Sequence, residues 1–505
     1  MTDPWVERIL KARVYDVAIE SALDPMPRLS ARTGNQVLLK REDQQPVFSF
    51  KLRGAYNKIA NLSETAARRG VVCASAGNHA QGVALAAQRR GIPAVIVMPV
   101  TTPQIKVDAV AGFGAEVVLH GDLYDAAYER AQKIVAERQM VYVHAFDDPD
   151  VIAGQGTIGM EILRQAPGDV DAIFVPVGGG GLIAGIAAYV KYISPRTKII
   201  GVEPEDSAAM HDSLRAGSRV TLDHVGIFAD GVAVRRVGEE TFALARRLVD
   251  EVVLVDTDKI CAAIQDSFED TRVVPEPSGA LAIAGLKKFV AREGWKGKRL
   301  VAINSGANLN FDRLRYISER ADLGAGREAL LAVELSEERG SFLRFCRTLG
   351  SRNITEFNYR EQGRERAEVF VGLNLAQGAP ERARIVAELQ QAGYRVVDLT
   401  DNELAKVHVR HMIGGQSPGL EHEILFRFEF PERPGALLRF LEAVGTRWNI
   451  SLFHYRNHGS DCGRVLAGIQ APPAERAELL LHLDDLNYPY VDEATNPAYR
   501  IFLGR

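Results

Sequence analysis

Four short stretches ahead of residue 310 carry the residue types that covalent and anion chemistry need. The first is Ser49-Phe50-Lys51-Leu52-Arg53-Gly54-Ala55, in which Lys51 sits in an apolar setting just ahead of a helix-like run. Desolvation there would lower its pKa and make the amine available for a Schiff base. The second, Ala74-Ser75-Ala76-Gly77-Asn78-His79-Ala80-Gln81-Gly82, follows the apolar Val71-Val72-Cys73. It reads as a strand-to-helix loop whose free backbone N–H groups can hold a carboxylate, with the Asn78 amide able to bond a ring hydroxyl. The third is Pro176-Val177-Gly178-Gly179-Gly180-Gly181-Leu182-Ile183-Ala184-Gly185. Its glycines let the backbone approach a phosphate closely, and the helix dipole adds attraction. No Lys-Ser/Thr follows as in a Walker loop, and no G-x-G-x-x-G spacing is followed by a clear ribose-binding acid, so a single phosphate monoester fits better than a nucleotide. The fourth, Ile303-Asn304-Ser305-Gly306-Ala307-Asn308, offers the neutral hydroxyl of Ser305. Each stretch alone also has an ordinary reading: a solvated lysine, an N-cap loop, a tight turn, a helix cap.

The elements that would position these loops alternate along the chain. From about residue 35 to 310, short β-branched runs alternate with Ala-rich helical stretches, the pattern of an open parallel sheet covered by helices. The strands are expected at Val37–Leu39, Ala94–Val97, Glu116–Leu119, Ile173–Val175, Ile199–Val202 and Leu300–Ile303, with helices at Ala80–Arg90 and Tyr124–Glu137. Residues 1–320 form an α/β unit that its size should divide into two lobes. The charge-free run Ala172–Val190 is long enough to suggest a membrane helix, but Pro176 and the glycines split it into strand, loop and helix start.

Around residues 321–328 the alternation stops at small and polar residues, read as a linker. Beyond it the chain repeats. Glu338-Arg339-Gly340-Ser341-Phe342-Leu343-Arg344-Phe345 resembles Arg433-Pro434-Gly435-Ala436-Leu437-Leu438-Arg439-Phe440, with Gly340 and Gly435 separated by 435 − 340 = 95. Asn353-Ile354-Thr355-Glu356-Phe357-Asn358-Tyr359-Arg360 then matches Asn449-Ile450-Ser451-Leu452-Phe453-His454-Tyr455-Arg456 at an offset of 96. Each copy reads as a βαββ-type module, spanning 329–401 and 423–495, with a connector at 402–422 and a tail at 496–505. Neither holds an obvious nucleophile or metal cluster, so the modules are assigned to binding.

With 61 basic and 65 acidic side chains and a formal charge of −4, the chain has no global positive field for nucleic acid or an anionic membrane. Cys73, Cys261, Cys346 and Cys462 form no C-x-x-C pair, which excludes a zinc knuckle and fits a reducing cytoplasm. The N-terminus lacks the basic start and apolar core of a signal peptide.

Together the four motifs, with Lys40-Arg41-Glu42-Asp43 and Pro275-Glu276-Pro277-Ser278-Gly279-Ala280, resemble the fold-type II pyridoxal-phosphate enzymes and, within them, the threonine deaminases. The likeness extends over nearly the whole chain. It implies a two-lobed α/β catalytic domain followed by tandem α+β ACT-like regulatory domains. It implies pyridoxal 5'-phosphate as cofactor, with Lys51 as the Schiff-base lysine, Phe50 beside the ring and Asn78 on the ring oxygen. Gly178, Gly179, Gly180, Gly181 and Leu182 would cradle the phosphate, and Ser305 would face the pyridine nitrogen. Ser75, Ala76, Gly77 and Asn78 would receive the substrate carboxylate.

The same resemblance implies conversion of L-threonine to 2-oxobutanoate and ammonia, with L-serine as the alternative substrate. It further implies isoleucine inhibition opposed by valine, at effector sites for which Tyr359 and Tyr455 are the candidates, and a homotetramer. Glu203-Pro204 is similar to the start of a cation loop in related racemases and dehydratases, but Ser207-Ala208-Ala209 lacks the acid some of them carry, so no metal is expected. The competing readings are another β-eliminating or racemising member of the same cofactor family, and an amino-acid sensor whose catalytic unit has lost activity.

Overall fold

The structure, a computed structural model, describes residues 3–100, 102–121, 124–226, 228–311, 313–360, 365–407, 409–411, 420–431, 436–444, 447–456, 462–486 and 488–495. The chain divides into two units, Met1–Ala321 and Asp322–Arg505.

The first unit holds two sheets. The larger runs in the order Leu23–Pro25, Gln36–Arg41, Arg299–Asn304, Ala172–Pro176, Lys198–Pro204, Glu251–Val255. Its strands are parallel except for the edge pair Leu23–Pro25 with Gln36–Arg41. The smaller sheet, Glu116–Leu119, Ala94–Met98, Val71–Ala74, Val141–Tyr142, is parallel throughout. Parallel strands covered on both faces must be apolar along their length. Ala172–Pro176 and Ala94–Met98 are buried at every position, which is why they read as continuous runs. The helix expected from Ala80 starts at Asn78, and the one from Tyr124 ends at Arg138. The run Ala172–Val190 is a strand, a glycine turn and most of the helix Gly181–Ile193. Among the described residues no helix is long and apolar enough to cross a membrane.

In the second unit each module is longer than the βαββ pattern. The first runs Glu328–Ser336, helix Ser341–Leu349, Ile354–Arg360, Arg366–Asn374, and then adds helix Ala379–Gln391 and strand Arg395–Asp398. The second repeats this order from Glu423–Pro431 to Tyr490–Asp492. The turn glycine Gly340 takes φ 79. Its counterpart Gly435, with Arg433 and Pro434, lies outside the described residues, as does the tail 496–505.

The modules share one eight-stranded antiparallel sheet, joined at its centre by Ile354–Arg360 against Asn449–Arg456. Asn358 pairs there with His454, its own repeat equivalent at 454 − 358 = 96, so the join is a pseudo-two-fold. The repeat also extends to buried polar detail. Thr355 and Ser451 each interrupt the register of their strand and donate a hydroxyl hydrogen bond of 2.5 Å to Glu328 and Glu423.

The helix Arg313–Gly324 runs through Ala321–Gly324, four of the residues read from sequence as linker. The reason is packing: Leu323 is buried with Leu330, Phe370 and Ala405.

Candidate active site

Lys51 opens the helix Lys51–Ala60, and neighbouring elements fix that helix closely. A Cβ on Gly82 would come within 3.1 Å of the Lys51 carbonyl carbon, and one on Gly154 within 2.7 Å of the Arg53 carbonyl oxygen. The helices Asn78–Arg90 and Pro149–Gln165 can therefore approach only where they carry glycine. Arg53, with no exposed side-chain area, anchors the same turn. Its guanidinium donates to Glu42 (2.8 Å, twice), Glu161 (2.6 and 3.0 Å) and Thr157 (3.1 Å), and Lys40 completes the cluster by donating to Glu161 at 2.6 Å. Two cations thus face two carboxylates in a buried, balanced box.

The Lys51 ammonium donates to the Ala145 carbonyl oxygen at 3.3 Å and lies 5.2 Å from the centroid of the Phe50 ring. Burial brings its pKa down to about 8 against the opposing pull of the Glu276 carboxylate. The glycine loop reaches the same segment: a Cβ on Gly179 would meet the Phe146 ring and one on Gly181 the Phe146 backbone at 3.0 Å. Ala145–Phe146 is itself pinned, since His144 Nδ1 accepts from the amides of Phe146 and Asp147. The Asp147 carboxylate accepts from the amides of Glu239 and Glu240.

The other two motifs are stitched to these by hydrogen bonds. Phe50 N–H donates to the Ser305 carbonyl at 3.2 Å, and Ala307 N–H to that of Phe48 at 2.9 Å. The buried Ser305 hydroxyl donates to the Ser278 carbonyl at 3.4 Å. The Asn78 amide donates to Glu276 at 2.7 Å and accepts from Asn308 at 2.7 Å. Helix Asn78–Arg90 begins after Gly77 with no side-chain cap, and Ser75 Oγ accepts from Gly77 N–H at 3.3 Å. Lys51, Phe50, Ser75, Ala76, Gly77, Asn78, the glycine loop with Leu182, and Ser305 are therefore drawn into one region. Tyr359 and Tyr455 belong to the second unit, on the two strands that join the modules, with Tyr359 opposite Phe453 and Tyr455 opposite Phe357.

A phosphorylated ring with an aldehyde fits these residues. Gly180 takes φ +95, and a Cβ on it would lie 2.7 Å from Met210; one on Gly178 would lie 3.0 Å from the Val232 backbone. The loop thus keeps its backbone bare by necessity, and helix Gly181–Ile193 starts from it without a side-chain cap. Among the described residues the amides from Gly178 to Leu182 find no acceptor in the protein, which is the state a phosphate cradle requires. Phe50, Asn78 and Ser305 would supply one apolar and two hydrogen-bonding contacts for the ring, and Lys51 the amine.

Sequence reading gave no role to Ala145, Phe146, Glu276 or Asn308. Ala145 and Phe146 act through a carbonyl and a ring in a stretch without a motif. Glu276 and Asn308 stand inside motifs visible in the sequence, but only the fold shows their partners. Glu203 is buried and accepts from the amides of Met210 and His211 at 2.9 and 2.8 Å, and burial brings its pKa up to about 8. Its oxygens serve as a helix cap. Among the described residues no group of three or more His, Cys, Asp or Glu is placed to hold a metal.

Residues 17–306 match the family model described as pyridoxal-phosphate dependent enzyme. Residues 319–409 and 414–503 each match the C-terminal regulatory domain of threonine dehydratase. The chain is 58% identical over 502 residues to the biosynthetic L-threonine dehydratase of Burkholderia multivorans, covering 99% of each. It is 53% identical to that of Escherichia coli, covering 99% of this chain and 97% of the relative. Among solved structures, the processed threonine deaminase isoform 2 of Solanum lycopersicum is similar with TM-score 0.62 and 53% identity, over 63% of this chain and 88% of that one. Maize serine racemase is similar with TM-score 0.59 and 33% identity, over 62% and 95%. The regulatory modules, absent from a bare catalytic unit, and the full-length likeness place the chain in the biosynthetic threonine dehydratase family of pyridoxal-phosphate dependent enzymes.

Proposed function

We propose that the chain deaminates L-threonine to 2-oxobutanoate and ammonia by eliminating the β-hydroxyl as water, the committed step toward isoleucine, and that its modules bind isoleucine as inhibitor and valine as antagonist. The observation that carries the catalytic half is the meeting of Lys51 and the glycine loop on one pinned segment, Ala145–Phe146. When bound, pyridoxal phosphate supplies a ring that takes up the negative charge left by loss of the substrate's Cα proton. Lys51 is the group that holds the cofactor and moves that proton; with its pKa brought down to about 8, a useful fraction is neutral near neutral pH. The helix start at Ser75–Asn78 orients the substrate carboxylate, and Gly178–Leu182 hold the phosphate. Ser305 is neutral, so it does not force a proton onto the ring nitrogen, which suits elimination over transamination.

Residues 1–320 serve as the catalytic domain, and 329–401 and 423–495 as effector modules with Tyr359 and Tyr455 at their shared join. A cytoplasmic homotetramer completes the reading. A turnover assay tests both halves. The protein should form 2-oxobutanoate from threonine faster than pyruvate from serine, isoleucine should suppress both, and Lys51→Ala should lose turnover together with borohydride-fixed cofactor. Full turnover in Lys51→Ala, or no response to isoleucine, would reject the corresponding half.

A further inference from the structure

Glu276 is buried beside Asn78 and Asn308. Its Oε1 accepts from Asn78 Nδ2 at 2.7 Å and its Oε2 from the backbone N–H of Asn308 at 3.1 Å. The Asn308 side-chain NH2 is fully committed, donating to the Val47 carbonyl at 2.8 Å and to Asn78 Oδ1 at 2.7 Å. The orientation of the Asn78 amide is therefore forced twice. Turning it over would set its NH2 against the NH2 of Asn308 and its oxygen against a carboxylate oxygen. One Asn78 N–H remains without a partner among the described residues.

We propose that Glu276 is a positioning residue that acts through Asn78 and Asn308, fixing Asn78 as a hydrogen-bond donor toward the cofactor's ring oxygen as long as Glu276 is ionised. A carboxylate only accepts, and each of its oxygens receives one N–H. A proton added to either oxygen removes the charge that strengthens both of those hydrogen bonds and uses one acceptor position, so the clamp weakens and Asn78 gains freedom to turn. The charged groups that face Glu276 are Lys51 at the start of its helix, Asp230, Lys106 and Arg313. The last three line, with Glu276 and Asn308, a cavity of about 40 Å³. That is room for a water molecule, giving the carboxyl a route for proton exchange. Burial and Asp230 bring the Glu276 pKa up to about 7, opposed by the Asn78 hydrogen bond and Lys106, so the clamp changes state within the working range of a cytoplasmic enzyme.

The inference rests on Lys51 and Asn78 forming the cofactor site. Its test uses the loaded protein and reads the absorption of the bound cofactor from about pH 5.5 to about 9, which reports hydrogen bonding at the ring oxygen and needs no turnover. Borohydride reduction and peptide mapping first establish attachment at Lys51; attachment elsewhere would reject the site assignment itself. With attachment at Lys51, the wild-type spectrum should change with a midpoint near pH 7, and Glu276→Gln should lose that transition while still holding cofactor. A wild-type spectrum flat through this range, or a Glu276→Gln spectrum that titrates as wild type, overturns the proposal. Asn308→Ala leaves Glu276 in place but removes the clamp on Asn78 Oδ1. It should move the absorption maximum, and an unmoved maximum also overturns it.

Discussion

Replacing Glu161 with Gln tests whether the buried charge box holds the helix that begins at Lys51. Glu161 accepts from Lys40 at 2.6 Å, from Arg53 at 2.6 and 3.0 Å, and from Tyr15 at 2.9 Å. The side chains of Lys40, Arg53, Glu42 and Glu161 have no exposed area, so none can turn to water when a partner is lost. Gln keeps the shape and removes one negative charge, leaving two cations against Glu42 alone. Breaking a buried pair in this way costs ~3–5 kcal/mol. Part of that is recoverable, because burial already lowers the Lys40 pKa and the ammonium can shed its proton, which points to the low end, ~3 kcal/mol. Adding Lys40→Met restores the balance of Arg53 against Glu42. The double variant should therefore fall short of the summed single costs by ~1–3 kcal/mol. Chemical unfolding followed by the fluorescence of Trp5 and Trp295 measures both, with cofactor retention as a second readout. A Glu161→Gln cost below ~1 kcal/mol, or strict additivity in the double variant, refutes the box as the anchor of Lys51.

Three further outcomes are expected. Gly179→Val drives a side chain into the Phe146 ring and should weaken cofactor retention about tenfold or more, ~1.4 kcal/mol, read as half-saturation of the cofactor-free protein. A chain ending at Ala321 should keep threonine turnover and lose isoleucine inhibition, as measured by the same assay with and without effector; inhibition that survives would contradict the division of labour. Glu203 has its folded pKa raised to about 8, so the stability it contributes is complete below its unfolded value near 4.5 and is lost as pH rises through about 8. Glu203→Gln has no such loss, so the stability of the variant relative to wild type should climb across that interval in unfolding titrations, and a constant difference would show that Glu203 does not titrate there.

The loops proposed to hold the cofactor were legible because their chemistry is local. A lysine before a helix, a helix start after small residues and a glycine run between strand and helix each state their function within about ten residues. The continuous apolar strands were legible for the same reason. The second half of each module was less so: Arg395–Asp398 is mostly exposed and its helix neighbour Ala379–Gln391 buries only Ile385 and Leu389, so neither left a strong apolar period. The supports of the site were illegible for a different reason. Glu276 stands before Pro277 where an acid reads as a helix cap, yet its side chain makes no cap and instead reaches Asn78, 198 residues away. Glu161 meets Arg53 across 108 residues, and Glu42 meets it across 11. In each case an acid on one element fixes a cation or amide on another, and no spacing rule links the two. The groups proposed to touch the cofactor are thus written in motifs, while those that orient them are written in pairings only the fold creates. A motif comparison would therefore rank Glu161 and Glu276 as remote from the chemistry. The geometry makes them the two acids whose loss should reach Lys51 and Asn78 most directly, Glu161 through helix stability and Glu276 through hydrogen-bond direction.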